Sequence, residues 1–323
     1  MALRKSSALT CGAAVFSAAL SASGGVNAEP FAYITNQKEN SVSVIDTAQG
    51  AVVKTLKVGT EPAGVAVSRD GSKICVANPT GKDVTIIDGR TNAVIGNVAV
   101  GEGPVGIAVD SRGRYAYVAD WYDNRISVLD LRNMAVVWWI PVGHSPAGVV
   151  VNPDGSKVYV ANRDDDSVSE IDVRSLAVMR TIGVGKHPFG ITLDPDGHRL
   201  FTANVESNDV SVVDTRAMQV VKTIPVGERP YALALAQNRL FVTNQYENTV
   251  SVVDARQLSV TGTIQVGEYP EGISAHPDGV HVYVANWFSN SVSVIDAKSQ
   301  QVEKTIKTGD GSRAFGVFIA QEQ

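Results

Sequence analysis

Apolar and polar residues alternate along this chain in short runs, and no stretch of useful length shows apolar residues at helical spacing. The text from Gly148 to Ile182 is representative. Gly148–Val151, Lys157–Ala161, Ser167–Ile171 and Ala177–Ile182 each read as a strand of five or six residues. The third of these has counterparts such as Ser41-Val42-Ser43-Val44-Ile45-Asp46, whose alternation fits a half-buried strand. Between strands stand turn signals: Pro153-Asp154-Gly155, Pro195-Asp196-Gly197 and Pro277-Asp278-Gly279, where proline presets φ and glycine accepts a positive one.

The four-strand pattern repeats. An aspartate closes an alternating run at Asp46, Asp88, Asp130, Asp172, Asp214, Asp254 and Asp296, at steps of 42, 42, 42, 42, 40 and 42 residues. A second ladder, Asn36, Asn78, Asp120, Asn162, Asn204, Asn244 and Asn286, keeps the same steps, including the short one. Two ladders sharing one defect are not coincidence. Four short strands and their turns fill about 42 residues, which is one blade of a β-propeller. The predicted fold is therefore all-β: a seven-bladed propeller with four antiparallel strands per blade. The repeats begin with a second strand, Phe31–Thr35, and end with a lone first strand, Gly316–Ala320, so the C-terminal strand is expected to close the ring against the N-terminal ones.

Ahead of the repeats, Arg4 and Lys5 precede an apolar run from Ala8 to Leu20, and Val26-Asn27-Ala28 offers small residues at a cleavage site. Residues 1–28 thus read as a cleaved export signal, leaving 29–323 as a single propeller domain that is periplasmic or secreted. Cleavage removes two cations and no acids, so 26 cations face 33 acids and the charge becomes -7. That balance weighs against indiscriminate nucleic-acid or anionic-lipid binding. Of the two cysteines only Cys75 survives, so no internal disulfide forms, and Cys75 is expected to be a buried small apolar residue. No later segment is apolar for long enough to span a membrane as a helix.

At Tyr33-Ile34-Thr35-Asn36, Phe241-Val242-Thr243-Asn244, Val58-Gly59, Pro62-Ala63-Gly64 and Ser41–Asp46 the repeat resembles that of the YVTN-type β-propeller family. The resemblance covers essentially all of the chain after the signal. It implies a seven-bladed ring in an exported bacterial or archaeal envelope protein. It does not imply one activity, since similar repeats occur in periplasmic binding proteins, surface-layer proteins and propellers associated with periplasmic dehydrogenases.

A residue present in every blade answers a need that recurs seven times, whereas a unique site must use residues that break the pattern. By this rule the seven aspartates are turn formers rather than catalysts. The residue after each crossing proline, near the channel mouth, reads Ala63, Val105, Ala147, Phe189, Tyr231, Glu271 and, after a two-residue insertion, Phe315. The mouth is lopsided. Trp121, Phe189, Arg229, Tyr231, Tyr269, Glu271, Trp287, Arg313 and Phe315 are the expected ligand-binding residues, joined on the same face by Tyr122, His144, Lys186, His187, Tyr246 and Phe288. The alternative is that these aromatics only shield the blade tops.

His144, His187 and Glu271 are the candidates for acid–base work, although they lack ligand or triad spacing. His198, His276 and His281 fall on the opposite face and are given no role. Asp164-Asp165-Asp166 could hold Ca²⁺, yet three acids in a loop are usually solvated. Trp138-Trp139 replace the Lys-Thr of other outermost strands and suggest a rim contact. Neither metal nor cofactor is expected. The leading expectation is a non-catalytic envelope protein binding a small-molecule ligand or a protein partner on its aromatic loop face. A second is an enzyme or subunit of a redox, lyase or lactonase-type system. A third, disfavoured by charge, is single-stranded nucleic-acid binding, with Trp121 and Trp287 stacking bases above Lys186, Arg229 and Arg313.

Overall fold

The computed structural model of the chain describes Met1 and residues 30–320, so the proposed signal lies almost wholly outside the described residues. Seven sheets of consecutive antiparallel strands surround a central channel. Counted from the innermost strand, blade one spans 65–99, blade two 104–141, blade three 146–183, blade four 188–225, blade five 230–265 and blade six 270–307. Blade seven contributes Phe31–Asn36, Ser41–Asp46 and Ala51–Lys57.

The C-terminal segment completes blade seven. The Arg313 N–H donates to the Thr35 carbonyl at 2.9 Å and the Tyr33 N–H to the Phe318 carbonyl at 3.0 Å, with antiparallel bridges at Ala32–Ile319 and Asn36–Ser312. It is not the plain strand the repeat suggests. Its middle leans toward blade one, where the Val65 and Val67 N–H groups donate to the carbonyls of Phe315 (2.8 Å) and Val317 (2.9 Å). Gly316 permits this, having φ +118 and lying where a Cβ would overlap the Val65 carbonyl. One segment thus bonds both neighbours, while Phe318 and Ile319 are fully buried in the apolar cluster joining blades six, seven and one.

Burial explains the alternating text differently from the half-buried strand it suggests. The second and third strands lie between adjacent blades and are buried on both faces, and only the outermost strands are largely exposed. The polar positions of the third strands are therefore inside. Ser43, Ser169, Ser251 and Ser293 are buried, and each is bonded to the amide of the ladder asparagine of its blade: Asn36, Asn162, Asn244 and Asn286 donate to them at 2.9 to 3.0 Å. The second ladder is a set of buried hubs tying the second strand to the third. Asp120 plays this part in blade two, accepting from Ser127 and from the Gly101 N–H.

The other ladder works at the turns. Asp88, Asp172, Asp214, Asp254 and Asp296 each accept the backbone N–H groups two and three residues ahead, at 2.5 to 3.0 Å. Those bonds hold all five carboxyls below their ordinary range. Because each folded pKa lies below its unfolded value, the turns stabilise the fold above about pH 4 and cease to as pH falls through the depressed values. Thermal unfolding followed against pH should show a steep acid-side loss beginning near pH 4. The double substitution Asp214→Asn with Asp254→Asn should flatten that limb; an unchanged limb would remove the turns as its cause.

Candidate functional site

Each crossing between blades bonds to the loop joining the second and third strands of the blade it enters, so both sets of loops share one face. The Trp287 N–H donates to the Tyr269 carbonyl at 3.0 Å, and those of Gln245 and Val205 donate to the carbonyls of Arg229 (3.1 Å) and His187 (3.0 Å). The residue before the crossing proline sits in the left-handed region: His187 at φ 52, Arg229 at φ 52, Tyr269 at φ 56. Each such non-glycine residue costs on the order of 1 kcal/mol of backbone strain. A side-chain oxygen from the preceding blade holds it there, as Asp166, Asn208 and Asn248 accept the N–H of His187, Arg229 and Tyr269 at 2.8 to 2.9 Å.

One step inward, Phe189, Tyr231 and Phe315 are buried against one another. Phe189 stacks on Tyr231 with centroids 4.2 Å apart, and Phe315 lies 4.8 Å from Phe189 and 5.7 Å from Tyr231. Trp121 caps the group at 6.0 Å from Phe189. Large rings from blades four, five and seven thus fill the throat, with the small Ala147 buried in the same cluster. Beside them, Glu271 is 2% exposed and accepts from Arg313 Nε and, at 3.1 Å, from Gln245 Nε2. Arg313 also donates to the Tyr231 hydroxyl at 3.1 Å. Burial pushes the Glu271 carboxyl above the usual carboxylate range, and the guanidinium opposes that rise.

Over the throat the outer rings form a strip across blades five and six. Tyr269 lies 6.0 Å from Tyr246, 5.4 Å from Trp287 and 4.9 Å from Phe288, and Trp287 stacks on Phe288 at 4.6 Å. Arg229 sits 4.7 Å over the Tyr246 ring and Arg313 5.5 Å over Trp287. Tyr246 and Phe288 remain 56% and 52% exposed. Arg229 Nε, Gln245 Oε1 and Trp287 Nε1 have no hydrogen-bond partner among the described residues.

The histidines of this face lie apart from Glu271's partners. His144 Nδ1 is 2.7 Å from Asp165 in an exposed dyad, and His187 Nδ1 is 3.3 Å from Glu206. The three consecutive aspartates diverge: Asp164 accepts from Ser145 and Arg163, Asp165 faces His144, and Asp166 accepts the His187 N–H. Both rim indoles, Trp138 at 52% and Trp139 at 55%, face outward, with Arg125 5.4 Å over Trp139. Cys75 is buried, and that burial raises its thiol pKa to about 12.

Sequence reasoning named only the mouth of the channel. Below the aromatic throat it opens on the opposite face as a cavity of about 440 Å³, walled by Ile107, Val149, Ile191, Leu233 and Ile273 and edged by Arg69, Asp110 and Asn152. Its lining comes from apolar positions that recur in every blade. Arg69, standing where blades two, three, four and six place serine or proline, departs from the pattern.

A family model described as YNCE-like beta-propeller matches residues 4–114 and 226–312, and one described as Lactonase, 7-bladed beta-propeller matches residues 90–219. Neither description names the YVTN-type repeat. No curated protein matches the chain. Among solved structures, Kuenenia stuttgartiensis hydrazine synthase is similar at 24% identity and TM-score 0.75, over 82% of this chain and 92% of that one. A functionally unknown protein from Desulfotomaculum acetoxidans is similar at 13% identity and TM-score 0.77, over 88% and 99%. The dihydro-heme d1 dehydrogenase NirN, solved in complex with DHE, is similar at 17% identity and TM-score 0.68, over 87% of this chain and 64% of that one. These likenesses are to the fold.

The buried Glu271–Arg313 pair gives a test of the throat. Glu271→Gln leaves the guanidinium without its countercharge and should cost about 3 kcal/mol in denaturant unfolding. Adding Arg313→Met should restore part of that loss. Equal stability of the single variant and the parent would show that the pair does not hold the throat together.

Proposed function

The chain belongs to the YNCE-like β-propeller family, and on that premise we propose that it is an exported, non-catalytic envelope protein that captures a protein partner on its aromatic loop face. The observation that carries this reading is the strip from Tyr246 through Tyr269 to Trp287 and Phe288, half exposed at both ends and stacked with two arginines. Such rings bury much area on contact and lose little side-chain freedom, because neighbouring rings already hold them. The throat beneath is filled, so this face offers a surface rather than a deep pocket, which suits a protein better than a small molecule.

Export belongs to the same proposal. It rests on the pattern of residues 1–28 and on repeats resembling the YVTN type. No helix among the described residues is long and apolar enough to cross a membrane.

The match of the lactonase model favours a second reading, lactone hydrolysis, because residues 90–219 include the His144–Asp165 dyad. In that reading Asp165 orients the imidazole and His144 draws a proton from an attacking water.

Tyr246→Ala combined with Phe288→Ala removes exposed rings only. The unfolding temperature should stay within a few degrees of the parent, while partners captured from an envelope extract should be lost. Capture of the same proteins by parent and variant would overturn the proposal. Simple lactones should be hydrolysed no faster than background. Turnover abolished by His144→Ala would instead establish the second reading, and single-strand binding at low salt would favour nucleic acid.

A further inference from the structure

On the face opposite the aromatic strip, the turn between the first two strands of blade six breaks the repeat. In blades one to four the residue that opens this turn is Ser68, Asp110, Asn152 or Asp194. Its side-chain oxygen accepts the N–H at the start of the next strand, from Lys73, Tyr115, Lys157 or Arg199, at 2.8 to 3.0 Å. Blade six has His276 there, and His281 where those blades have lysine, tyrosine or arginine. Asp278 takes over the turn with one oxygen: Oδ1 accepts the N–H groups of Val280 at 2.6 Å and His281 at 3.0 Å. Its other oxygen is left for something else. Asp278 Oδ2 lies 2.9 Å from His276 Nδ1 and 2.5 Å from His281 Nδ1.

The far edge of His276 fixes which of its nitrogens carries the proton. His276 Nε2 is 3.1 Å from Thr47 Oγ1, and that hydroxyl already donates to the Pro30 carbonyl at 2.6 Å. Thr47 therefore accepts, His276 Nε2 carries the hydrogen, and Nδ1 of the neutral ring presents a lone pair. That lone pair already accepts the Asp278 N–H at 3.2 Å. His281 Nε2 points to Glu303 Oε2 at 3.3 Å and its Nδ1 to Asp278 Oδ2, so both of its nitrogens face carboxylate acceptors. The Asp278 N–H thus fills the His276 Nδ1 lone pair, and the His281 Nδ1–H fills one side of Asp278 Oδ2, so the three ligand atoms converge around protons. A divalent cation can take the place of those protons and draw the same three atoms together.

We propose that His276 Nδ1, Asp278 Oδ2 and His281 Nδ1 bind a divalent transition ion of the zinc class, with water in the fourth position. All three ligand atoms lie within 4.8 Å of one another. Tetrahedral bonds of about 2.0–2.2 Å put ligand atoms roughly 3.3 Å apart, so a small swing of the Asp278 carboxylate opens the site. Two nitrogens and one oxygen suit zinc, cobalt or nickel rather than calcium or magnesium. Thr47 and Glu303 act as the outer partners that orient each ring.

Position gives the ion a role. Thr47 and Pro30 belong to the N-terminal part of the chain and His276 to blade six, so the site sits beside the seam where the ring closes. Metal binding there should strengthen the seam.

The test uses untagged protein stripped with chelator and titrated with zinc sulfate at pH 7.5. One equivalent should bind, with a rise in unfolding temperature. Cobalt should give the visible absorption bands of a tetrahedral N/O site. His281→Ala, at a half-buried surface ring, and Asp278→Asn should each weaken binding roughly tenfold or more. Binding should also fade as pH drops through the imidazole range, since protons compete for the same nitrogens. Absence of stoichiometric binding, or stoichiometric binding that neither variant weakens, would overturn the site. Neither result bears on the aromatic strip.

Discussion

Adjacent innermost strands approach so closely that six of the seven blades place glycine at the contact, and the rest of the ring follows from it. A Cβ on Gly64 would overlap the Val105 carbonyl, and one on Gly106 the Ala147 carbonyl. The series continues through Gly148 and Gly190, is interrupted in blade five by Ala232, and resumes with Gly272, which meets the Arg313 and Ala314 carbonyls, and Gly316, which meets that of Val65. Gly272 and Gly316 meet the closing segment from either side, so the last contact of the circle is of the same kind as the others. A propeller held this way cannot spare one member, because each blade's second and third strands are buried by the blades beside them.

Much of this architecture was legible because it repeats. The 42-residue step, the short blade and the closing strand are written in residues that recur for one physical reason each. What the alternation concealed was the direction of its polar face. Ser-Val-Ser text reads as half-solvated, and only the third dimension reveals that Ser43 and its equivalents bond Asn36 and its equivalents inside the sheet stack. The asparagine ladder had been visible as a pattern without a task; the task is to satisfy those buried hydroxyls and to pack on the crossing glycines.

The loop face was read from departures from the repeat, and those departures fall into two layers that the sequence could not separate. Phe189, Tyr231 and Phe315 close the throat, whereas Tyr246, Tyr269, Trp287 and Phe288 build an outer strip. At the crossing one residue of register decides the layer, since Tyr269 before the proline joins the outer strip and Tyr231 after it joins the throat. Tyr246, Trp287 and Phe288 reach the strip from the loops between second and third strands. His276 and His281 were passed over for the opposite reason. Each is ordinary alone, and only their shared approach to Asp278 in a turn that in blades one to four uses Asx or serine marks them.

Closure by the tail is the claim on which both faces rest, because the loop strip and the seam each depend on the circle being complete. A chain ending at Arg313 lacks Phe315, Phe318 and Ile319 and the bonds they make to blades seven and one. Compared with the intact chain by thermal unfolding, it should lose most of its cooperative transition or unfold many degrees lower. An unfolding temperature equal to that of the intact protein would contradict the closed ring.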